Sequence, residues 1–269
     1  MAAPVRVAAV APFQELAQAW GQAASIQVKV QPFELSQAIR QVAGRKFDFA
    51  LVPGSLLPGH RAFLEASPAK RVVSVEVGWE TLAPIVHPGN PIKSLPEQMA
   101  RDLIASESCV NGAELPRDWG ALLDEPSMKG RRVEALLPPD KSPAGKALKT
   151  LVLPNCAVRT GAQRVSSDAA IERAVARNPL ALGWVHRLRY IGQARVLPIV
   201  AGGNVEAATA NPEALARGWY PFGRKVLLVT NEEPAPDGDA GRYLRFVRSE
   251  AGQREVRRLG FTPVWLRAQ

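Results

Sequence analysis

The chain is poor in the residues that build reactive centres. It has two cysteines and three histidines in 269 residues. Cys109 and Cys156 lie in no CxxC and near no histidine at ligand spacing, which excludes the common metal patterns. His60, His87 and His186 are isolated from one another. There is no GxSxG elbow, P-loop, HExxH or recognisable triad, so neither an enzyme nor a cofactor is expected. Long apolar runs are missing too: none approaches the ~18 residues of a membrane-spanning helix. The opening MAAPVRVAAVAPF has neither a charged leader nor an apolar core ending in a cleavage site, so it is not an intact signal peptide. That leaves a cytosolic protein or a mature exported chain. Internal repeats and low-complexity linkers are also absent.

What is present points to a packed globular protein: 46% hydrophobic and 22% charged residues. The length suits one large domain or two lobes. The net charge of +9 allows nucleic acid, an anionic surface or an anionic ligand as partner. The charges are scattered, however. The densest cluster, RYLRFVRSEAGQREVRRLG, sets arginines at helical spacing with Glu250 and Glu255 between them, the pattern of a solvated helix face. No basic stripe carries interleaved aromatics, so nucleic acid is not expected as a partner. The two cysteines could form one disulfide, as in an exported protein, or be two unrelated buried thiols.

Along the chain, VRVAAV reads as a strand. PFQELAQAWGQAA reads as a helix with Phe13, Leu16, Ala17 and Trp20 on one face and Pro12 in its first turn. IQVKVQPF alternates as a strand, LSQAIRQVAG is a helix closed by Gly44, and FDFALVPG is a buried strand. This β-α-β-α-β order predicts parallel strands with crossover helices, an α/β fold. Further strands are expected at RVVSVEVGW, TLAPIVHP, RRVEALLPP, LALGWVHRL, ARVLPIV and RKVLLVTN. Helices are expected around 95–105, from Ser142 as N-cap with Pro143 at the first position, after Ser167 or Asp168, and as one long final helix from about Ala240 to Leu259.

The segment APIVHPGNPIKSLPEQMARDLIAS stops a strand at Pro-Gly-Asn-Pro and starts a helix after Ser-Leu. In this it resembles the phosphate-binding proteins that serve bacterial ABC importers. DWGALL is similar to the Asn-Trp stretch of that family. SSDAAIERAVARNPLALGWVHRLRY resembles the segment ending in a Gly-Tyr strand, here Gly183-Trp184. Tyr220, Pro221 and Arg224 match a Tyr-Pro-x-x-Arg strand, and Ser249, Gly252, Gln253, Gly260 and Pro263 match the closing helix and Gly-x-x-Pro. The blocks run in the family's order over nearly the whole chain.

The resemblance implies two α/β lobes, each a mainly parallel sheet flanked by helices, joined by two crossing strands with ligand held in the cleft. Lobe one would be 1–82 plus 190–269 and lobe two 83–189, with crossings near Glu80–Pro84 and Val185–Tyr190. Both cysteines then fall in lobe two, and a Cys109–Cys156 disulfide is expected there. The family grips its oxyanion with donors at three turns. Here the first turn is deleted, the chain running straight from VRVAA into VAPF. The second reads Val52-Pro53-Gly54-Ser55, and the third Ser142-Pro143-Ala144 after Lys141. Pro12, Pro53 and Pro143 each lack an N–H beside these places. The candidate ligand contacts are therefore Ser142, Lys141, Ala144, Gly54 and Ser55, with Trp79 and Thr81 near a crossing strand. An ordinary helix cap at Ser142, a plain turn at Gly54-Ser55 and core packing at Trp79 are the competing readings.

The implied function is that of an extracytoplasmic, periplasmic solute-binding protein, a monomer that captures a small, anionic ligand for a membrane importer or sensor. Two alternatives remain open: a binding-protein fold that has lost anion binding and acts through protein contacts, and a cytosolic effector-binding domain.

Overall fold

The computed structural model describes residues 3–54, 58–66, 72–106, 118–123, 128–186, 192–203 and 206–264. In chain order its elements are β1 (Val5–Ala9), α1 (Gln14–Ala23), β2 (Val28–Pro32), α2 (Leu35–Ala43), β3 (Phe49–Pro53), α3 (Pro58–Glu65), β4 (Val73–Thr81), β5 (Ala83–Val86) and β6 (Leu95–Pro96). There follow α4 (Glu97–Asp102), α5 (Trp119–Leu123), β7 (Glu134–Leu137), α6 (Pro143–Leu151), β8 (Gln163–Arg164), α7 (Asp168–Val175), β9 (Ala181–Val185), β10 (Arg195–Val196) and β11 (Ile199–Val200). The chain ends with α8 (Pro212–Ala216), β12 (Gly223–Thr230), α9 (Asp239–Arg248) and α10 (Glu250–Arg258). Among the described residues no helix is long and apolar enough to cross a membrane.

The fold is α/β and two-lobed. One compact unit is Met1–Glu80 with Arg224–Gln269, the other Thr81–Gly223. In the first, the sheet order is β2-β1-β3-β12-β4, with β1 parallel to β2 and β3, and β12 antiparallel to β3. Its inner strands β1, β3 and β12 are largely apolar on both faces because helices cover both. Val5, Val7, Phe49, Leu51, Val226 and Leu228 point to α1, α9 and α10, while Ala8, Ala50, Val52, Leu227 and Val229 point to α2. The two-residue side-chain period thus sorts one strand into two cores. Three hydrogen bonds lock the C-terminal helices on this unit. Trp20 Nε1 donates to Gly252 O (2.9 Å), the Tyr243 hydroxyl to Ala17 O (3.1 Å), and buried Gln253 Nε2 to Val77 O (3.1 Å).

The expected single final helix is two. Ser249 takes an extended backbone, ends α9 and caps α10 by accepting from Gly252 N–H (3.2 Å).

The second unit has a sheet ordered β10-β5-β9-β7-β8, mixed in direction, and the small parallel pair β11-β6. α7 lies on β9 with Ile171 and Val175 in the core. A Cβ on Gly183 would stand 2.7 Å from both side chains, so the Gly-Trp strand needs its glycine for helix contact. The Pro-Gly-Asn-Pro segment is a turn closed by Asn90 N–H to His87 O (2.9 Å). Buried Asn90 then accepts from Ile92 N–H (3.0 Å) and donates to Pro179 O (3.1 Å).

The chain re-enters the first unit later than expected. The segment after residue 190 does not return there: β10 pairs with β5, β11 with β6, and the Tyr220 hydroxyl donates to Leu82 O (2.7 Å), all within the second unit. The passages lie at Glu80–Thr81 and Gly223–Arg224, while Val185 stays inside β9. Cys156 is disulfide-bonded; Cys109 lies outside the described residues.

Candidate functional site

The N-terminus of α6 carries the most sequence-selected residues. Ser142 is extended and Pro143 opens the helix. The Ser142 hydroxyl accepts from Gly145 N–H (3.0 Å) and donates to Pro139 O (2.7 Å), so its proton is committed to the chain. A Cβ on Gly145 would stand 2.1 Å from Pro139 O, which shows how closely the preceding turn wraps the helix start. Of the first-turn groups, Pro143 has no N–H and Gly145 N–H is taken. Ala144 N–H has no hydrogen bond among the described residues. Lys141 is exposed beside it. Asp140, one residue earlier, is bound by Arg164 (2.8 Å) and Lys149 (3.6 Å).

The first unit's turns are closed in the same sense. After β1, Val10 N–H donates to Leu51 O (2.9 Å) and Phe13 N–H to Val10 O (2.8 Å). Pro12 precedes α1 rather than lying in its first turn, and α1 has no side-chain cap. After β3, Pro53 offers no N–H and Gly54 N–H donates to Lys225 O (2.7 Å), extending the β3–β12 ladder. Ser55 lies outside the described residues.

Trp79 and Thr81 are buried. Trp79 exchanges backbone bonds with Thr262 (2.7 and 3.1 Å), and its ring is approached by the Lys225 ammonium at 5.7 Å. The Thr81 hydroxyl is buried with no hydrogen-bond partner among the described residues. Between them Glu80, fully buried, is salt-bridged to Arg224, while Lys225 pairs with Glu76 (3.0 Å) on the same two strands. Tyr220 and Arg224, which carry part of the family resemblance, therefore hold Leu82, just ahead of β5, and Glu80 of β4. Of the predicted contacts, Lys141, Ser142 and Ala144 share the α6 turn, Thr81 belongs to the same unit, and Gly54 and Trp79 lie in the other.

One anion-holding turn escaped the sequence reading. Glu172 on α7 is buried, and its Oε1 accepts from three successive backbone N–H groups, of Gly192 (3.2 Å), Gln193 (2.6 Å) and Ala194 (3.0 Å). Burial alone pushes this carboxyl up. The N–H donors of Gln193, Ala194 and Gly192, with the nearby charge of Arg173, hold it below the ordinary carboxylate range. The available signal was a glutamate beside Ile171 and Val175 on the buried arc of a helix.

No protein-family model and no curated protein matches the chain. Solved structures do, over almost its whole length. A possible phosphate binding protein from Planctomyces limnophilus DSM 3776 is similar with a TM-score of 0.74 at 14% identity, covering 98% of this chain and 94% of that one. PstS from Borrelia burgdorferi gives 0.70 at 14% identity, covering 97% and 99%. An ABC-type phosphate transport receptor from Vibrio cholerae gives 0.64 at 15%, covering 96% and 99%. The chain therefore has the fold of the phosphate-binding-like solute-binding proteins.

Proposed function

We propose that this chain is a solute-binding protein that works outside the cytoplasm and holds a small ligand for an ABC importer or a sensor. The observation that supports this most strongly is end-to-end agreement in fold with phosphate-binding proteins. The disulfide at Cys156 suits an oxidising compartment. The proposed contacts are Lys141, Ser142 and Ala144 on one unit and Gly54 and Ser55 on the other, with Trp79 and Thr81 supporting the strands nearby.

The ligand proposed is a small molecule other than free phosphate. A dehydrated oxyanion needs several N–H and O–H donors converging on it, and at the described turns those donors are missing or internally bound. Ala144 N–H and Lys141 could still receive one anionic group of a larger solute. A thermal-shift screen against phosphate, sulfate, molybdate, phosphonates, amino acids and sugars tests this. A true ligand at about a hundred times its Kd should stabilise the protein by about 2.7 kcal/mol. Silence across the whole screen would count against ligand capture and favour a role through protein contacts.

A further inference from the structure

We propose that the groove beside α8 binds an organic cation, a guanidinium or ammonium head on an apolar or planar body. The groove has a volume of about 520 Å³, within the range of small-molecule sites. Its walls include Glu206, Ala208, Thr209, Glu213, Ala214 and Trp219, all in the second unit, and none is among the contacts proposed above. The inference is therefore independent of the ligand reading.

Three observations converge on a cation. First, Trp219 is the one large apolar side chain exposed among the described residues, at 39%, and it faces this groove. The turn after α8 sets it there, with Trp219 N–H donating to Ala214 O (2.8 Å). Second, two residues of the groove wall, Trp219 and Glu213, already hold a cation from their own chain. The Arg217 guanidinium lies 4.7 Å from the Trp219 ring centre and pairs with Glu213 at 3.1 Å. An indole face with a carboxylate beside it is the arrangement that recognises guanidinium and quaternary ammonium groups. Third, the local charge is wrong for the molecule as a whole. Glu206 and Glu213 against Arg217 leave one net negative charge in a chain of net charge +9. Glu206 has no ion pair among the described residues. A ligand cation would complete that carboxylate, while its body covers the open part of the indole and the alanine floor.

Calorimetric titration of the full chain with L-argininamide tests the site, with L-citrullinamide as the uncharged analogue. The expected result is saturable binding of one argininamide. Trp219→Ala should weaken it about tenfold, Glu206→Gln should weaken it several-fold, and higher salt should weaken it as well. Both positions are exposed, so the variants should melt like the parent chain, and Glu206→Gln serves as the second probe if Trp219→Ala does not fold. Absence of saturation, unchanged affinity in either folded variant, or citrullinamide binding as tightly as argininamide would each overturn the proposal.

Discussion

At Gly192–Ala194 three successive N–H groups meet the Glu172 carboxylate at 3.2, 2.6 and 3.0 Å. At Pro143–Gly145 a turn of the same length leaves one N–H unused among the described residues, that of Ala144. Both turns belong to the second unit, and they treat an anion in opposite ways. Where the chain supplies its own carboxylate, the backbone converges on it. At the start of α6, proline removes one donor and the helix cap consumes another. The comparison shows that the chemistry of an anion nest persists in this molecule but is spent on holding β10's approach segment to α7. Fold and ligand chemistry are thus separable, because the first rests on apolar packing over two sheets and the second on a handful of N–H groups.

The largest effect that could break this contrast is phosphate affinity. Relative to a site in which all three turns donate, the losses at Pro12, Pro53 and Pro143 remove about three charge-assisted hydrogen bonds. At about 1.5–3 kcal/mol each, roughly 5–9 kcal/mol is forfeited, several powers of ten in Kd. Calorimetry with phosphate at neutral pH should show weak binding or none. Whatever remains should fall further in Lys141→Ala and with added salt. Sub-micromolar binding would mean that donors elsewhere fill the site and that the two turns are not opposites.

The nest itself is tested by Glu172→Ala, which removes the acceptor from three N–H groups, that of Ala194 in a buried place. The expected loss is about 3 kcal/mol in urea unfolding; a loss below about 1 kcal/mol would show that the nest is decorative. Glu172→Gln adds the pH dependence. The folded carboxyl lies below the ordinary value of about 4.3. Its contribution is therefore complete above that value and is lost as pH falls through the lower folded one. The stability gap between parent and Glu172→Gln should be widest at neutral pH and close in acid. Next in size, Gly145→Ala forces a methyl against Pro139 O and should cost about 2 kcal/mol.

The sequence made one half of the contrast legible. Proline has no N–H in any fold, so Pro12, Pro53 and Pro143 could be read as missing donors before any coordinates. The β-α-β order and the apolar strands were equally plain, because two helix layers impose continuous burial on β1, β3 and β12. The other half was hidden. Glu172 meets amides about twenty residues further on, and no local pattern announces a backbone partner. The return point of the chain was misjudged because β10 and β11 are two residues each, too short for any periodicity. The break between α9 and α10 was readable in Ser249-Glu250-Ala251-Gly252, a cap followed by a tight glycine, but the arginine spacing on either side masked it.

The smallest expected effect separates the two readings of Ser142. Its hydroxyl accepts from Gly145 N–H and donates to Pro139 O, and both bonds belong to the turn. If the residue is a cap and nothing more, Ser142→Ala should cost about 1 kcal/mol of stability and leave the affinity for any solute found by screening unchanged. If Ser142 also contacts the ligand, affinity must fall by more than stability explains, because a hydroxyl can turn its proton from Pro139 O to a ligand only in the bound state. Ser142→Thr is the matching control: it keeps the cap oxygen and adds a methyl. A parent-like melting curve with weakened ligand binding in Ser142→Thr would place the ligand against the helix start. Equal stability and equal binding would leave Ala144 N–H and Lys141 as the only groups of this turn that a solute can use.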